Sequence, residues 1–238
     1  MKSGGTRSTF KESPMYRAVS FDVDGTITDR KLHLDLEAVK LIRKLVSKGV
    51  IMILNTGNAA PIAYCLSRYI GCNGPVIAEN GGVLVYDGSV RVLADRNRVL
   101  DSYTALKRTF PNRVRETLTN RFRLADVSIK TDLPTETIAS FLRGTGVAVY
   151  DSGFAVHLMD ERWNKGKALK LALEFVGVKK QETVSIGDSM LDIEMFKISG
   201  FSIALANAPE DLKSIASMTV DMPGGRGFCK ALKSLFRI

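Results

Sequence analysis

The chain has 238 residues, 45% of them hydrophobic and 25% charged, with a formal net charge of +9. That length suits one large domain or a core carrying a smaller one, and no apolar run approaches the ~20 residues of a membrane span, so a helical membrane protein is excluded. The basic residues are dispersed, with Lys40, Arg43, Lys44 and Lys48 at the spacing of a solvated helix face, so they suit attraction of small anions and do not make a nucleic-acid surface.

Residues 1–14 are polar and rich in Gly, Ser and Thr, without the apolar middle of a secretory signal, and are expected to be a disordered extension with the fold starting near Met15. Cys65, Cys72 and Cys229 have no metal spacing and leave an odd thiol, which fits a reducing cytoplasm. Tyr16 to Phe21 reads as a buried strand, ended by Asp22-Val23-Asp24-Gly25-Thr26. Residues two apart on a strand share a face, so Asp22 and Asp24 are expected to face one site. Two carboxylates held that close call for a cation or a shared proton, and a hard divalent ion such as magnesium prefers oxygen ligands. An ordinary turn rich in Asp and Gly is the competing reading.

A helix is expected over 35–47, stopping at Lys48-Gly49. Val50 to Leu54 follows as a second buried strand, closed by Asn55-Thr56-Gly57-Asn58. The next helix has Pro61 in its first turn and ends near Ile70-Gly71, before a third strand at Pro75 to Ala78. Strands alternating with helices imply right-handed parallel crossovers and an α/β, doubly wound sheet. The pattern then changes. Val83 to Ala94 reads as a hairpin turning at Asp87-Gly88, 98–110 and 134–143 as helices, and 122–130, 147–150 and 155–159 as strands. This mixture predicts an α+β cap inserted at 85–158 into a core made of 15–84 and 159–238.

From Asn164 the alternation resumes, with helices over 165–176 and 209–217, strands at 183–186, 201–204 and 218–220, and a closing amphipathic helix over 227–236. Gly187-Asp188-Ser189 turns into a helix reaching Ile198, with Ser189 placed to cap it and Asp192 in its first turn. The polar signatures all sit where apolar strands end, the edge at which open α/β sheets bind ligands. Thr56-Gly57-Asn58 suits an anion cradle, and Lys165 at a helix start suits neutralisation of phosphate charge, though either also fits plain capping and surface roles. His33 and His157 lack nucleophile partners, and His157 reads as packed or at the cap edge rather than catalytic.

Asp22-Val23-Asp24-Gly25-Thr26, Thr56-Gly57-Asn58, Lys165-Gly166 and Gly187-Asp188…Asp192 resemble the four motifs of the haloacid dehalogenase-like superfamily, from Met15 to the C-terminus. Asn80-Gly81-Gly82, the position of the cap and Ala206-Asn207-Ala208 are similar to the Cof and sucrose-phosphate phosphatase branch. Residues 118–121 and 153–158 look like archaeal-type phosphoglycolate phosphatases. The resemblance implies a magnesium-dependent phosphatase acting on a small phosphorylated metabolite, with Asp22 as nucleophile and Asp24 as acid and base. Magnesium would be held by Asp22, the Asp24 carbonyl, Asp188 and Asp192, and Thr56, Gly57, Asn58 and Lys165 would hold the phosphoryl group. The family's usual Asn-Asp is Leu191-Asp192 here, and Leu can neither ligate nor hydrogen-bond, so an altered cation affinity is expected.

For 2-phosphoglycolate the cap must meet a small carboxylate. Arg121 or Arg123 suits bidentate capture, Arg121 being the expected residue with help from Thr119 and Asn120. The alternatives are a phosphosugar phosphatase, a phosphomutase of the same superfamily, and a regulatory or scaffolding protein on a retained fold. A cytoplasmic protein without membrane or nucleic-acid partners is expected, and a homodimer is compatible with the sequence.

Overall fold

The computed structural model describes residues 16–238, so the expected extension over 1–14 lies outside the described residues. The elements run β1 (Ala18–Phe21), α1 (Leu36–Ser47), β2 (Ile51–Asn55), α2 (Ala60–Ile70), β3 (Val76–Ala78), β4 (Val83–Tyr86), β5 (Ser89–Val92), α3 (Arg96–Thr109), β6 (Val114–Glu116) and β7 (Val127–Thr131). They continue with α4 (Thr135–Phe141), β8 (Val147–Asp151), β9 (Val156–Asp160), α5 (Lys165–Val176), β10 (Thr183–Gly187), α6 (Ile193–Ile198), β11 (Phe201–Ala204), α7 (Glu210–Ile215), β12 (Met218–Thr219) and α8 (Gly224–Phe236).

Eight strands form one sheet in the order β12-β11-β10-β1-β2-β3-β4-β5. The pairs from β12 to β3 are parallel, while β4 and β5 return antiparallel. The central strands are continuous apolar runs because helices cover both faces. On one face Phe21, Ile42, Met52, Leu54, Phe228 and Leu232 join β1 and β2 to α1 and α8. On the other, Ile53, Ile77, Leu169, Leu173 and Phe196 pack α5 and α6. Each such fully buried large side chain contributes about 2 kcal/mol of hydrophobic stabilisation.

Local signals set the crossovers. Asp35 caps α1 by accepting from the Glu37 and Ala38 N–H groups at 2.8 and 3.1 Å. Gly71 ends α2 at φ 96°, a left-handed conformation that suits glycine. Asn164 caps α5 through the Lys167 N–H at 2.8 Å, and Lys165 is the first residue of that helix. No helix among the described residues is long and apolar enough to cross a membrane.

The smaller sheet, β6-β7-β9-β8, is antiparallel throughout and has its own apolar cluster around Val99, Leu106, Ile129, Ile138 and Leu158. Three details differ from the sequence reading. The hairpin β4–β5, expected to open the insert, extends the large sheet, because β4 pairs with β3 from Val76↔Val85 to Ala78↔Val83. The expected strand over 122–130 is extended in the ladder only from Val127, since residues 118–122 form a 3-10 turn. Strand β6 is short and has two exposed polar residues of three, so no apolar pattern announces it.

The chain crosses between the sheets twice, before α3 and after β9. Asp160 joins the crossings. Its carboxylate accepts from the Asp95 N–H at 2.9 Å and from Arg162 Nε and Nη2 at 2.9 and 2.6 Å. The hydrogen bonds from Arg162 hold the Asp160 carboxyl well below the usual carboxylate range, against the effect of burial.

A candidate active site between the two sheets

Strand β1 hands its ladder one residue further, since the Asp22 N–H donates to the Ile186 carbonyl at 3.1 Å. Gly25 then turns the chain at φ 84°, and the Thr26 N–H closes back on the Val23 carbonyl at 3.1 Å. Asp22 and Asp24 do face one cavity, of about 270 Å³. The turn brings them together, because β1 has already ended at Phe21.

Lys165 comes to the same place from the start of α5. Its Nζ donates to Asp22 Oδ1 at 2.8 Å and to Asp192 Oδ1 at 2.7 Å, with all three residues buried. Asn55 at the end of β2 steadies this helix start, its Nδ2 donating to the Lys165 carbonyl at 3.3 Å. Gly166 is required by packing, because a Cβ there would stand 2.2 Å from the Glu194 carbonyl oxygen of α6.

Asp22, Asp188 and Asp192 each offer a carboxylate oxygen within 4.8 Å of the others, a donor set that fits a hard divalent cation. Burial pushes the Asp22 carboxyl well above its usual range, Lys165 opposes this, and the charges of Asp192 and Asp188 add to it. Burial, and next the Asp192 charge, push Asp188 up to about 7. Burial disfavours the charged Lys165, but Asp192 and Asp22 outweigh it and raise its pKa. One lysine thus faces several buried acids, an imbalance that a divalent ion corrects.

The acids are held from several loops. Thr26 Oγ1 donates to Asp188 Oδ1 at 2.6 Å, and Asn207 Nδ2 donates to Asp188 Oδ2 at 2.7 Å and to the Gly25 carbonyl at 3.0 Å. Asp192 Oδ2 accepts from the Asp188 and Ser189 N–H groups, each at 3.0 Å. Asp192 therefore folds its own turn with one oxygen and meets Lys165 with the other. Asn207, noted in the sequence only as part of a motif, is a direct support of the acid cluster.

Asp24 accepts from Asn58 Nδ2 at 2.9 Å. Burial raises its carboxyl above the usual value, against that bond and the Lys165 charge. Gly57 and Asn58 line the cavity, whereas Thr56 is fully buried, its hydroxyl accepting from the Asn58 N–H and Nδ2 at 3.2 and 3.1 Å. Leu191 also lines the cavity, so an apolar group stands beside the acid cluster.

The smaller sheet supplies the opposite wall, including Thr117, Thr119, Arg123, Ser128 and His157. Arg121 is exposed, with its guanidinium 5.8 Å from the Phe122 ring, and is not brought to the cavity; Arg123 is. Glu79, which follows β3, ties the walls together. Its buried carboxylate accepts from the N–H groups of Ala60, Leu124, Ala125 and Asp126 at 2.7–3.2 Å. His157 is buried as expected, and also faces the cavity.

Residues 19–109 and 125–232 match the model of a family described as haloacid dehalogenase-like hydrolase. A phosphoglycolate phosphatase of Methanothermobacter thermautotrophicus is 40% identical over 217 residues, covering 91% of this chain and 97% of that protein. A phosphoglycolate phosphatase of Archaeoglobus fulgidus is 38% identical, covering 92% of this chain and 96% of that protein. Among solved structures, Thermoplasma acidophilum 0175 superposes with a TM-score of 0.85 at 28% identity, covering 93% of this chain and 98% of that one.

Proposed function

The chain belongs to the haloacid dehalogenase-like hydrolase family, and on that premise we propose that it is a magnesium-dependent phosphatase whose substrate is 2-phosphoglycolate. The observation that carries the chemistry is Lys165 bridging Asp22 and Asp192 beside Asp188 on one cavity wall. The substrate rests on the similarity to the two archaeal phosphoglycolate phosphatases.

In this reading Asp22 is the nucleophile. Its Oδ forms a bond to phosphorus as the bond from phosphorus to the leaving oxygen breaks, giving an aspartyl-phosphate. Asp24, whose burial favours the protonated form, gives its proton to that oxygen and later takes one from the water that hydrolyses the intermediate. Lys165 holds Asp22 in place and meets the phosphoryl oxygens together with the Gly57-Asn58 loop. Asp22, the Asp24 carbonyl, Asp188 and Asp192 would hold magnesium, which supplies positive charge against the phosphoryl group when bound.

The smaller sheet acts as a cap that closes over the leaving group. Its Thr117, Thr119, Ser128 and Ser152 also line the cavity, and these hydroxyl-bearing residues favour a phosphorylated sugar or polyol as the second reading. Release of inorganic phosphate from a panel of monoesters with magnesium tests the proposal. Turnover of 2-phosphoglycolate above sugar phosphates, abolished by Asp22→Asn, is the expected result. Phosphate release that survives Asp22→Asn would sink the mechanism, and a sugar phosphate preferred by a wide margin would sink the substrate.

A further inference from the structure

The cap-side wall holds a charged array that phosphoryl transfer leaves unused. Arg123, Asp126 and His157 are all buried there. Arg123 Nη1 donates to Asp126 Oδ1 at 2.6 Å and to the Gly57 carbonyl at 3.0 Å, and Nε donates to Thr119 Oγ1 at 3.3 Å. His157 Nδ1 lies 2.9 Å from Asp126 Oδ2. Burial would push Asp126 up, but the hydrogen bond from His157 and the charge of Arg123 outweigh it and hold the carboxyl below its usual value.

Each Asp126 oxygen therefore has a different holder. Arginine and a carboxylate commonly close as a two-pronged fork. His157 occupies the second oxygen here, so Asp126 grips the guanidinium by one prong. Nη2 is left without a protein partner among the described residues, on a side chain that lines the cavity.

We propose that Arg123 selects the leaving group, its Nη2 edge receiving a carboxylate, and that Asp126 and His157 are positioning residues that keep this edge open. The inference rests on the phosphatase reading and names the group that recognises the acid half of the substrate. Arg123 is delivered by residues 110–124, the stretch between the two family-matched segments. That is where a contact particular to this chain's substrate belongs, while the shared phosphoryl chemistry lies on the other wall. Arg123 also bonds the Gly57 carbonyl, so its purely structural role predicts equal damage with every substrate, and this separates the two accounts.

The test is steady-state kinetics of the full chain with magnesium on 2-phosphoglycolate and on para-nitrophenyl phosphate, which lacks a carboxylate. Arg123→Lys raises KM for phosphoglycolate about 30-fold with kcat within about 3-fold, and moves KM for the nitrophenyl ester by less than about 3-fold. His157→Leu frees Asp126 to close on Arg123 as a fork and raises KM for phosphoglycolate alone, by about 10-fold. His157→Asn, whose amide N–H stands in for the Nδ1–H, recovers most of that loss.

A second measurement needs only the wild type: glycolate competes with the nitrophenyl ester, and the neutral glycolamide competes at least about 10-fold less well. Equal effects on both esters, equal inhibition by glycolate and glycolamide, or failure of the Asn variant to recover would each overturn the inference while leaving the phosphatase standing. A wild type that turns over neither ester would overturn the phosphatase reading and this inference together.

Discussion

The Lys165 ammonium stands 2.8 Å from Asp22 Oδ1, both groups buried. A buried ion pair is costly to break from one side, because the remaining charge keeps its desolvation without its partner. Lys165→Met leaves Asp22 and Asp192 without their cation and destabilises the fold by about 3–5 kcal/mol. Urea unfolding checks this, and millimolar magnesium restores part of the loss in the variant. An unchanged midpoint without magnesium would mean that the pair carries no such role.

Asp188 gives the site a pH dependence of known sign. Its carboxyl is pushed up to about 7, mainly by burial and then by Asp192. In the metal-free protein the folded state therefore holds a proton that the unfolded chain has already lost, and stability falls as pH rises from about 4 towards 7. A cation that needs the ionised carboxylate competes with that proton, and Asp22, also pushed up by burial, adds to the effect, so magnesium affinity weakens by at least about 10-fold per pH unit below 7. Calorimetric titration at pH 5.5, 6.5 and 7.5 reads the slope, and equal affinities across that range would refute it.

Gly166 places Lys165 through packing. With a Cβ there 2.2 Å from the Glu194 backbone oxygen, Gly166→Ala forces α5 away from α6 and costs about 1–3 kcal/mol. The ammonium moves with the helix start, so phosphatase turnover falls more than 10-fold at temperatures where the variant is still folded. Thermal melts paired with turnover at 25 °C separate the two effects.

Glu79 is the acceptor for four backbone N–H groups. Glu79→Gln keeps the shape but turns an amide N–H₂ towards those donors, at a cost of about 1–3 kcal/mol. Residues 124–126 then loosen, and Arg123 with them, so protection of their amides in hydrogen exchange drops before that of β1 or β10. Simultaneous loss of protection in all three places would argue against a local effect.

The parallel core was readable because its information is local. Each strand is an apolar run ended by polar residues, as in Val50 to Asn58, and each helix carries its own cap or stop, such as Asp35 and Gly71. Asp22, Asp24, Lys165, Asp188 and Asp192 could be singled out for the same reason, since each opens or follows such an element.

What escaped depends on partners distant in sequence. Leu124 and Ala125 are apolar and lead into Val127, so 124–126 read as strand, yet Glu79, 45–47 positions earlier, takes their N–H groups. That departure from a ladder brings Arg123 to the cavity instead of Arg121. Asn207 stands out in the sequence only within Ala206-Asn207-Ala208, and its role escaped because its hydrogen bond to Asp188 joins the ends of two strands.

Asp160 fastens Asp95 to Arg162, so the two passages of chain between the sheets meet at one carboxylate. Two separate straps would let the smaller sheet slide and tilt as well as swing. Knotted together, they leave it a single pivot and few independent degrees of freedom. Any swing of the smaller sheet about Asp160 would have to break the Arg123 bond to the Gly57 carbonyl and the Glu79 bonds to the 124–126 amides together.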